Sequence, residues 1–121
     1  MLDSNVLIAT ALASEAGVRA RLAQCDAGDL VVSAVSLAEV LHGSMRDKPP
    51  PVAELLLLIE EMPVLAFDGP AAKAYATIPF RRSSFDRLIA AHALSLGLTV
   101  VTFNQKDFAD VPGLVVENWT I

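Results

Sequence analysis

Short apolar runs alternate along this chain with stretches of helical pattern, and this alternation limits the possible folds more than any other feature. Leu30-Val31-Val32 is wholly apolar, as expected of a strand buried on both faces. Leu98-Thr99-Val100-Val101-Thr102 is the clearest strand, and residues 64–67 and 114–117 read as two more. Met1-Leu2 reads as the end of a first strand. Between these runs the pattern predicts helices over residues 6–13 and over 15–24, the latter capped by Ser14. A third starts at Ser36 and ends near Met45. A fourth runs over 52–61, after Pro49-Pro50-Pro51. Asp68-Gly69-Pro70 opens a fifth that ends near Thr77. Ser83 or Ser84 caps a sixth, which stops at Gly97. Strands that alternate with helices imply right-handed crossovers and a parallel sheet covered on both faces. The expected fold class is therefore α/β: a three-layer α/β/α sandwich around a central, mostly parallel sheet. Such folds place their chemistry in the crevice beyond the carboxyl ends of the strands.

Length fits one domain, residues 1–121, with no room for a second core. The chain carries 9 Lys+Arg against 14 Asp+Glu, for a net charge of -5. A protein that coats nucleic acid would carry a basic surface. A nuclease is not excluded, because a metal site gathers acids. Cys25 is the only cysteine, so an intrachain disulfide and a cysteine-based zinc site are both ruled out. The apolar runs are too short to cross a bilayer. Residues 6–13 lack the basic flank of a signal peptide and follow Asp3. A soluble cytoplasmic protein is expected.

The acids fall where the fold would use them. Asp3 follows the first strand, and Glu39 lies early in the helix after the second. Asp86 is in the first turn of the helix that Ser83 or Ser84 would cap. Asn104 and Asp107 follow the strand ending at Thr102. Each acid alone has a structural reading. Ser36-Leu37-Ala38-Glu39 matches a capping box, and Ser83-Ser84-Phe85-Asp86 resembles one. Acids in a first helical turn also suit the macrodipole. Jointly they pose a harder problem. Two unit charges ~4 Å apart repel by about 4 kcal/mol at an effective dielectric near 20. A cluster of three or four carboxylates calls for a cation, and oxygen ligands favour Mg²⁺ or Mn²⁺ over zinc. Such a site suits phosphodiester hydrolysis.

The residues themselves carry a family resemblance. Residues 1–8, Met-Leu-Asp-Ser-Asn-Val-Leu-Ile, resemble the opening motif of PIN-domain nucleases. The segment from Ser33 to Gly43, with Ser36 and Glu39, is similar to their second motif. Phe85-Asp86-Arg87-Leu88-Ile89-Ala90-Ala91 resembles the third, and Val101-Thr102-Phe103-Asn104-Gln105-Lys106-Asp107 the fourth. The motifs come in family order and span nearly the whole chain, and they most resemble the VapC toxins of bacterial toxin–antitoxin pairs. That resemblance implies a Mg²⁺- or Mn²⁺-dependent endoribonuclease, neutralised by a VapB-like antitoxin and forming a homodimer. It implies that Asp3, Glu39 and Asp86 are the core acids, both catalytic and metal-binding. The fourth is Asp107, with Asn104 as a neutral helper, although many PIN domains place an acid at the position of Asn104. Ser4, Asn5 and Thr102 match polar positions that hold carboxylates or water. Three departures accompany the match. Ser4 stands where Thr is commoner, and the segment 78–84 lacks a glycine loop. Only two residues precede Asp3, so the first strand is clipped or starts upstream.

Other residues have plainer roles beside the functional ones. Glu39 and His42 make a Glu-x-x-His pair, but a di-iron bundle needs several such helices and no strands. His92 shares a helical face with Phe85, Leu88, Ile89 and Leu96, so it reads as packed rather than as a base. Cys25 reads as a helix-end apolar contact. Arg81, Arg82 and Arg87 surround the third motif, where a planar guanidinium could contact RNA phosphate. The helices over 6–13 and 52–61 hold more apolar residues than a small core needs, which points to a partner surface. The reading from another class is a catalytically silent PIN or receiver-like module. A receiver needs a lysine at a strand end beside the acids. Lys106, the nearest, sits inside the fourth motif, and no core acid is missing.

Overall fold

The structure, a computed structural model, describes residues 1–26, 28–80 and 84–120. Helices α1 (Ser4–Leu12) and α2 (Ala16–Leu22) precede strand β1 (Val32–Ser33). Helices α3 (Ala34–Ser44) and α4 (Val52–Glu61) lead to β2 (Val64–Leu65). Helices α5 (Gly69–Tyr75) and α6 (Phe85–Leu96) lead to β3 (Val100–Val101), a 3-10 turn over Gln105–Asp107, and β4 (Val116–Glu117).

All strand pairing is parallel. Val32 pairs with Val64 and Ser33 with Leu65, while Val100 pairs with Val116 and Val101 with Glu117. Leu2 bridges Val32 on one side and Val101 on the other. It therefore joins the two ladders at the sheet centre, in the order β2-β1-Leu2-β3-β4. The expected first strand is reduced to this one residue, held by Leu2 N–H to Val31 O at 3.0 Å and Asp3 N–H to Val101 O at 2.9 Å.

The sheet has two buried faces. Leu2, Val32 and Val101 pack on one side with Val6, Leu7, Val18, Val40, Leu55 and Trp119. Met1 and Val100, one residue earlier in each strand, pack on the other with Ile89, Ala90, Ala93 and Phe108. This period-two alternation is the sequence signature of a sheet covered by helices on both sides, and the α/β expectation holds. Among the described residues no helix is long and apolar enough to cross a membrane.

Local chemistry explains most element ends. Pro51 precedes α4, which spans the expected residues. Asp68 caps α5 by accepting from Ala71 N–H at 3.1 Å. Gly97 ends α6 in the left-handed region, at φ 66°. Gly17 lets the C-terminal segment approach α2, since a Cβ there would stand 2.1 Å from Trp119 O. The capping expectation for Ser36 is corrected. Helix α3 begins three residues earlier, with Ser33 accepting from Val35 N–H at 3.1 Å. Ser36 is buried inside the helix and donates to Leu2 O at 3.4 Å. The strand expected at 30–32 is also shifted, and stands at Val32–Ser33. Ser84 stands at the N-cap of α6 but makes no side-chain cap bond; Ser83 lies outside the described residues.

Candidate functional site

Four chain segments deliver acids to the carboxyl edge of the sheet. Asp3 is both the residue after the central bridge and the N-cap of α1. Its Oδ1 accepts from Ser4 N–H at 2.8 Å, and its Oδ2 accepts from Thr102 Oγ1 at 2.8 Å. Asp3 and Thr102 are both buried. Glu39 is one turn into α3 and accepts from Ser4 Oγ at 2.5 Å. Asp107 closes the 3-10 turn after β3 and accepts from Asn104 Nδ2 at 2.6 Å. Asn104 is held in turn, its N–H donating to Thr102 Oγ1 at 3.0 Å. Thus Ser4, Thr102 and Asn104 each orient one carboxylate through a neutral donor. Asp86 lies in the first turn of α6, half-buried.

The four acids act on one another. Burial pushes the Asp86 carboxyl up to about 6, and the negative charges of Asp3, Asp107 and Glu39 add to it, as does a hydrogen bond to Asp107. The N-terminal end of α6 favours the ionised form, yet burial and repulsion win. Asp3 is also raised, first by burial and then by Glu39 and Asp107, against the lowering bonds from Thr102 and Ser4. Elevation of Asp3 and Asp86 by neighbouring negative charges marks carboxylates that share a site. Among the described residues, no three His, Cys, Asp or Glu side chains stand arranged to hold a metal ion unaided. The donors are all oxygens, which suits a hard divalent cation.

Asn5 is exposed, and with Ser4, Glu39, His42 and Lys48 it lines a hollow of about 290 Å³ beside the acids. A larger cavity of about 500 Å³, lined by Thr10, Cys25, Leu58 and Met62 among others, contains none of the four acids.

The arginine expectation is corrected at Arg87. Its side chain is 1% exposed and its Nη2 lies 2.6 Å from Asp110 Oδ1, so it has no fork to offer RNA. Arg81 and Arg82 lie outside the described residues. His92 is packed as expected. It is buried, its Nδ1 is 2.8 Å from Ser33 Oγ, and its ring meets Phe67 edge-on. The surplus of apolar side chains divides between the two helices. Helix α1 buries Val6, Leu7 and Ala9 and leaves Leu12 exposed at its end, whereas on α4 Leu56 and Leu57 are exposed. Sequence reasoning missed the Arg87–Asp110 pair and the exposed Phe85 beside Asp86. An aromatic residue next to a motif acid was the available signal for the second.

The model of the family described as PIN domain matches residues 1–114. A relative named tRNA(fMet)-specific endonuclease VapC, from Shigella flexneri, is 33% identical across 99% of this chain and 97% of its own length. The crystal structure of DNA-bound VapBC from Salmonella typhimurium matches 98% of this chain and 96% of that one, at 30% identity and a TM-score of 0.81. VapBC2 from Rickettsia felis, solved bound to a DNA fragment from their promoter, has the same fold, with a TM-score of 0.86 at 23% identity over 98% and 97% of the two chains. With the family model covering nearly every residue and the acids standing at the sheet edge, this chain belongs to the PIN domain family.

Proposed function

We propose that this chain is an endoribonuclease of the VapC kind, the toxin of a VapBC-type pair, and that Asp3, Glu39, Asp86 and Asp107 hold Mg²⁺ or Mn²⁺. The observation that carries this reading is that four chain segments bring acids to one sheet edge, where the charges of Asp3, Asp107 and Glu39 help raise Asp86 to about 6. A cluster that costs free energy when ionised gains most from a cation in its midst. The VapC and VapBC names of the relatives support the reaction class and a VapB-like antitoxin partner.

The chain's own residues divide the work. Ser4, Thr102 and Asn104 fix the angles of Glu39, Asp3 and Asp107, so the acids need little rearrangement to receive a cation. Thr102 has a double role, since its hydroxyl donates to Asp3 and accepts from Asn104 N–H. A bound divalent cation supplies the positive charge that ionises an attacking water and offsets charge growing on the phosphate oxygens. No side chain is assigned as general base. Residues 1–121 form one PIN domain in this reading, acting in the cytoplasm as a homodimer. Apart from the four acids the chain is nearly neutral, so RNA recognition relies on the site more than on broad charge.

The test is cleavage of RNA by the purified protein with Mn²⁺, against Asp3→Ala and against the wild type in chelator. The expected result is cleavage only by the wild type with metal. Equal cleavage by Asp3→Ala, or a folded wild type inert toward a broad RNA panel, overturns the proposal.

A further inference from the structure

Phe85 is the first residue of α6, and its ring is 54% exposed although the next residue is Asp86. A large apolar side chain left in water costs stabilisation that burial would supply. With Ala38, Glu39 and His42 of α3 it lines a hollow of about 290 Å³. Ala38 and His42 are one helical turn apart, so the methyl and the imidazole lie on the same face of α3. Glu39 belongs both to this hollow and to the acid cluster. Glu39 and His42 also line the neighbouring hollow that contains Asn5 and Lys48. Two differently built hollows thus share a wall at the acids. One has an aromatic face. The other has an amide and a cation.

We infer that the Phe85 hollow binds a nucleobase of the RNA strand adjacent to the bond that is cut, stacked on the Phe85 ring. This deepens the reading of the chain as a ribonuclease and rests on it. The walls suit a flat group, being two planar rings and a methyl with the Glu39 carboxylate at one side. The volume lies at the small end of ligand pockets, enough for one base and too little for a helix face. Unpaired bases stack on aromatic side chains, and each stack adds affinity to whatever the backbone contacts supply. A stack here therefore adds to an acidic protein's hold on RNA. A base in this hollow places its own backbone beside Glu39, and the strand continues toward Lys48, whose ammonium suits a phosphate.

The experiment uses a labelled single-stranded RNA that the wild type cleaves with Mn²⁺, and the same RNA with an abasic riboside on either side of the cut. Phe85→Ala should raise KM about 5- to 100-fold with kcat little changed, the range expected for one lost base stack. Phe85→Trp should retain the wild-type KM. An abasic riboside at one flanking position should cost the wild type a similar factor and cost Phe85→Ala almost nothing more, because both changes remove the same contact. Melting temperatures of the variants serve as the fold control. An unchanged KM in Phe85→Ala, or abasic losses that multiply with it, overturns the inference while leaving the ribonuclease reading intact. Loss of antitoxin inhibition by Phe85→Ala with normal KM assigns the hollow to the protein partner and also overturns it. A wild type that cleaves no RNA fails the ribonuclease reading itself.

Discussion

Arg87 Nη2 stands 2.6 Å from Asp110 Oδ1, and this ion pair ties the first turn of α6 to the segment that follows Asp107. The guanidinium is buried, and its Nε and Nη1 have no hydrogen-bond partner among the described residues. A buried cation compensated at one nitrogen depends strongly on that contact. Asp110→Ala should therefore destabilise the protein by about 1–3 kcal/mol, the cost of leaving a buried donor unpaired, since Asp110 itself is 36% exposed and screened by water. Arg87→Met, which removes the charge and keeps much of the volume, should cost less. Denaturant unfolding of the two variants checks the order. If Arg87→Met is the more damaging, the pair acts through packing rather than charge.

Ser4 and Glu39 supply a second prediction. Ser4 Oγ donates to Glu39 Oε1 at 2.5 Å, and Glu39 is otherwise exposed on α3. Without that bond the glutamate swings among rotamers in water. Ser4→Ala should lower cation affinity and cleavage by about 10- to 100-fold, the range for lost orienting partners. Ser4→Thr keeps the hydroxyl and should restore most of it. Titration of Mn²⁺ against cleavage rate separates the two variants, and equal losses in both would assign the effect to packing.

Thr102 carries two bonds, so its loss should be felt at two acids. Its hydroxyl lowers the Asp3 carboxyl against the elevation caused by burial. It also anchors Asn104, whose amide holds Asp107. Thr102→Val preserves shape and removes both bonds. The pH below which cleavage fails should move upward in Thr102→Val, and Thr102→Ser should return it. A pH–rate profile with an unmoved acid limb would contradict this role.

Much of the site was legible because strand ends in α/β sheets are where such folds deliver function. The order of elements put Asp3, Glu39, Asp86, Asn104 and Asp107 at one sheet edge, and the family resemblance was needed to prefer Asp107 to Asn104 as the fourth acid. What was not legible came from contacts between distant segments. The spacing of Ser36 and Glu39 is that of a capping box, yet the chain enters α3 at Ser33. Ser33 is favoured there by a buried partner, His92, 59 residues away. Arg87 sits beside other arginines in sequence, but its fate depends on Asp110, 23 residues on. Helix α4 was read correctly from end to end because its signal is local, prolines followed by an amphipathic run.

His92 makes stability depend on pH. Burial lowers its pKa, against the raising influence of Asp68 and a hydrogen bond to Ala66. Above about 6.5, the ordinary value, the imidazole is neutral both folded and unfolded. Below it the unfolded chain takes the proton first, so stability falls as pH drops through that value. His92→Asn should lose baseline stability but show a flatter slope between pH 6.5 and 5. Acidic unfolding compared in an Asp86→Asn background isolates this slope, since Asp86 titrates in the same range.

Asp86 contributes with the opposite sign. Its carboxyl is raised to about 6, so between its ordinary value near 4 and pH 6 the folded protein holds the extra proton. Cation-free stability from this group must therefore decline as pH rises from about 4 to 6 and stay low above. A cation reverses the penalty by binding only the folded, ionised cluster, and it stabilises by about 2.7 kcal/mol at a hundredfold excess over its dissociation constant. Mn²⁺ should accordingly raise Tm strongly at pH 7.5 and weakly at pH 5, where it must displace a proton. Asp86→Asn relieves one repulsion, so it should melt higher than the wild type without metal and respond little to Mn²⁺. Thermal melts of both proteins at the two pH values, with and without Mn²⁺, decide it. A metal response of equal size at pH 5 and pH 7.5 would separate cation binding from these carboxylates. A lower cation-free Tm in Asp86→Asn would mean that Asp86 supports the fold more than the cluster strains it.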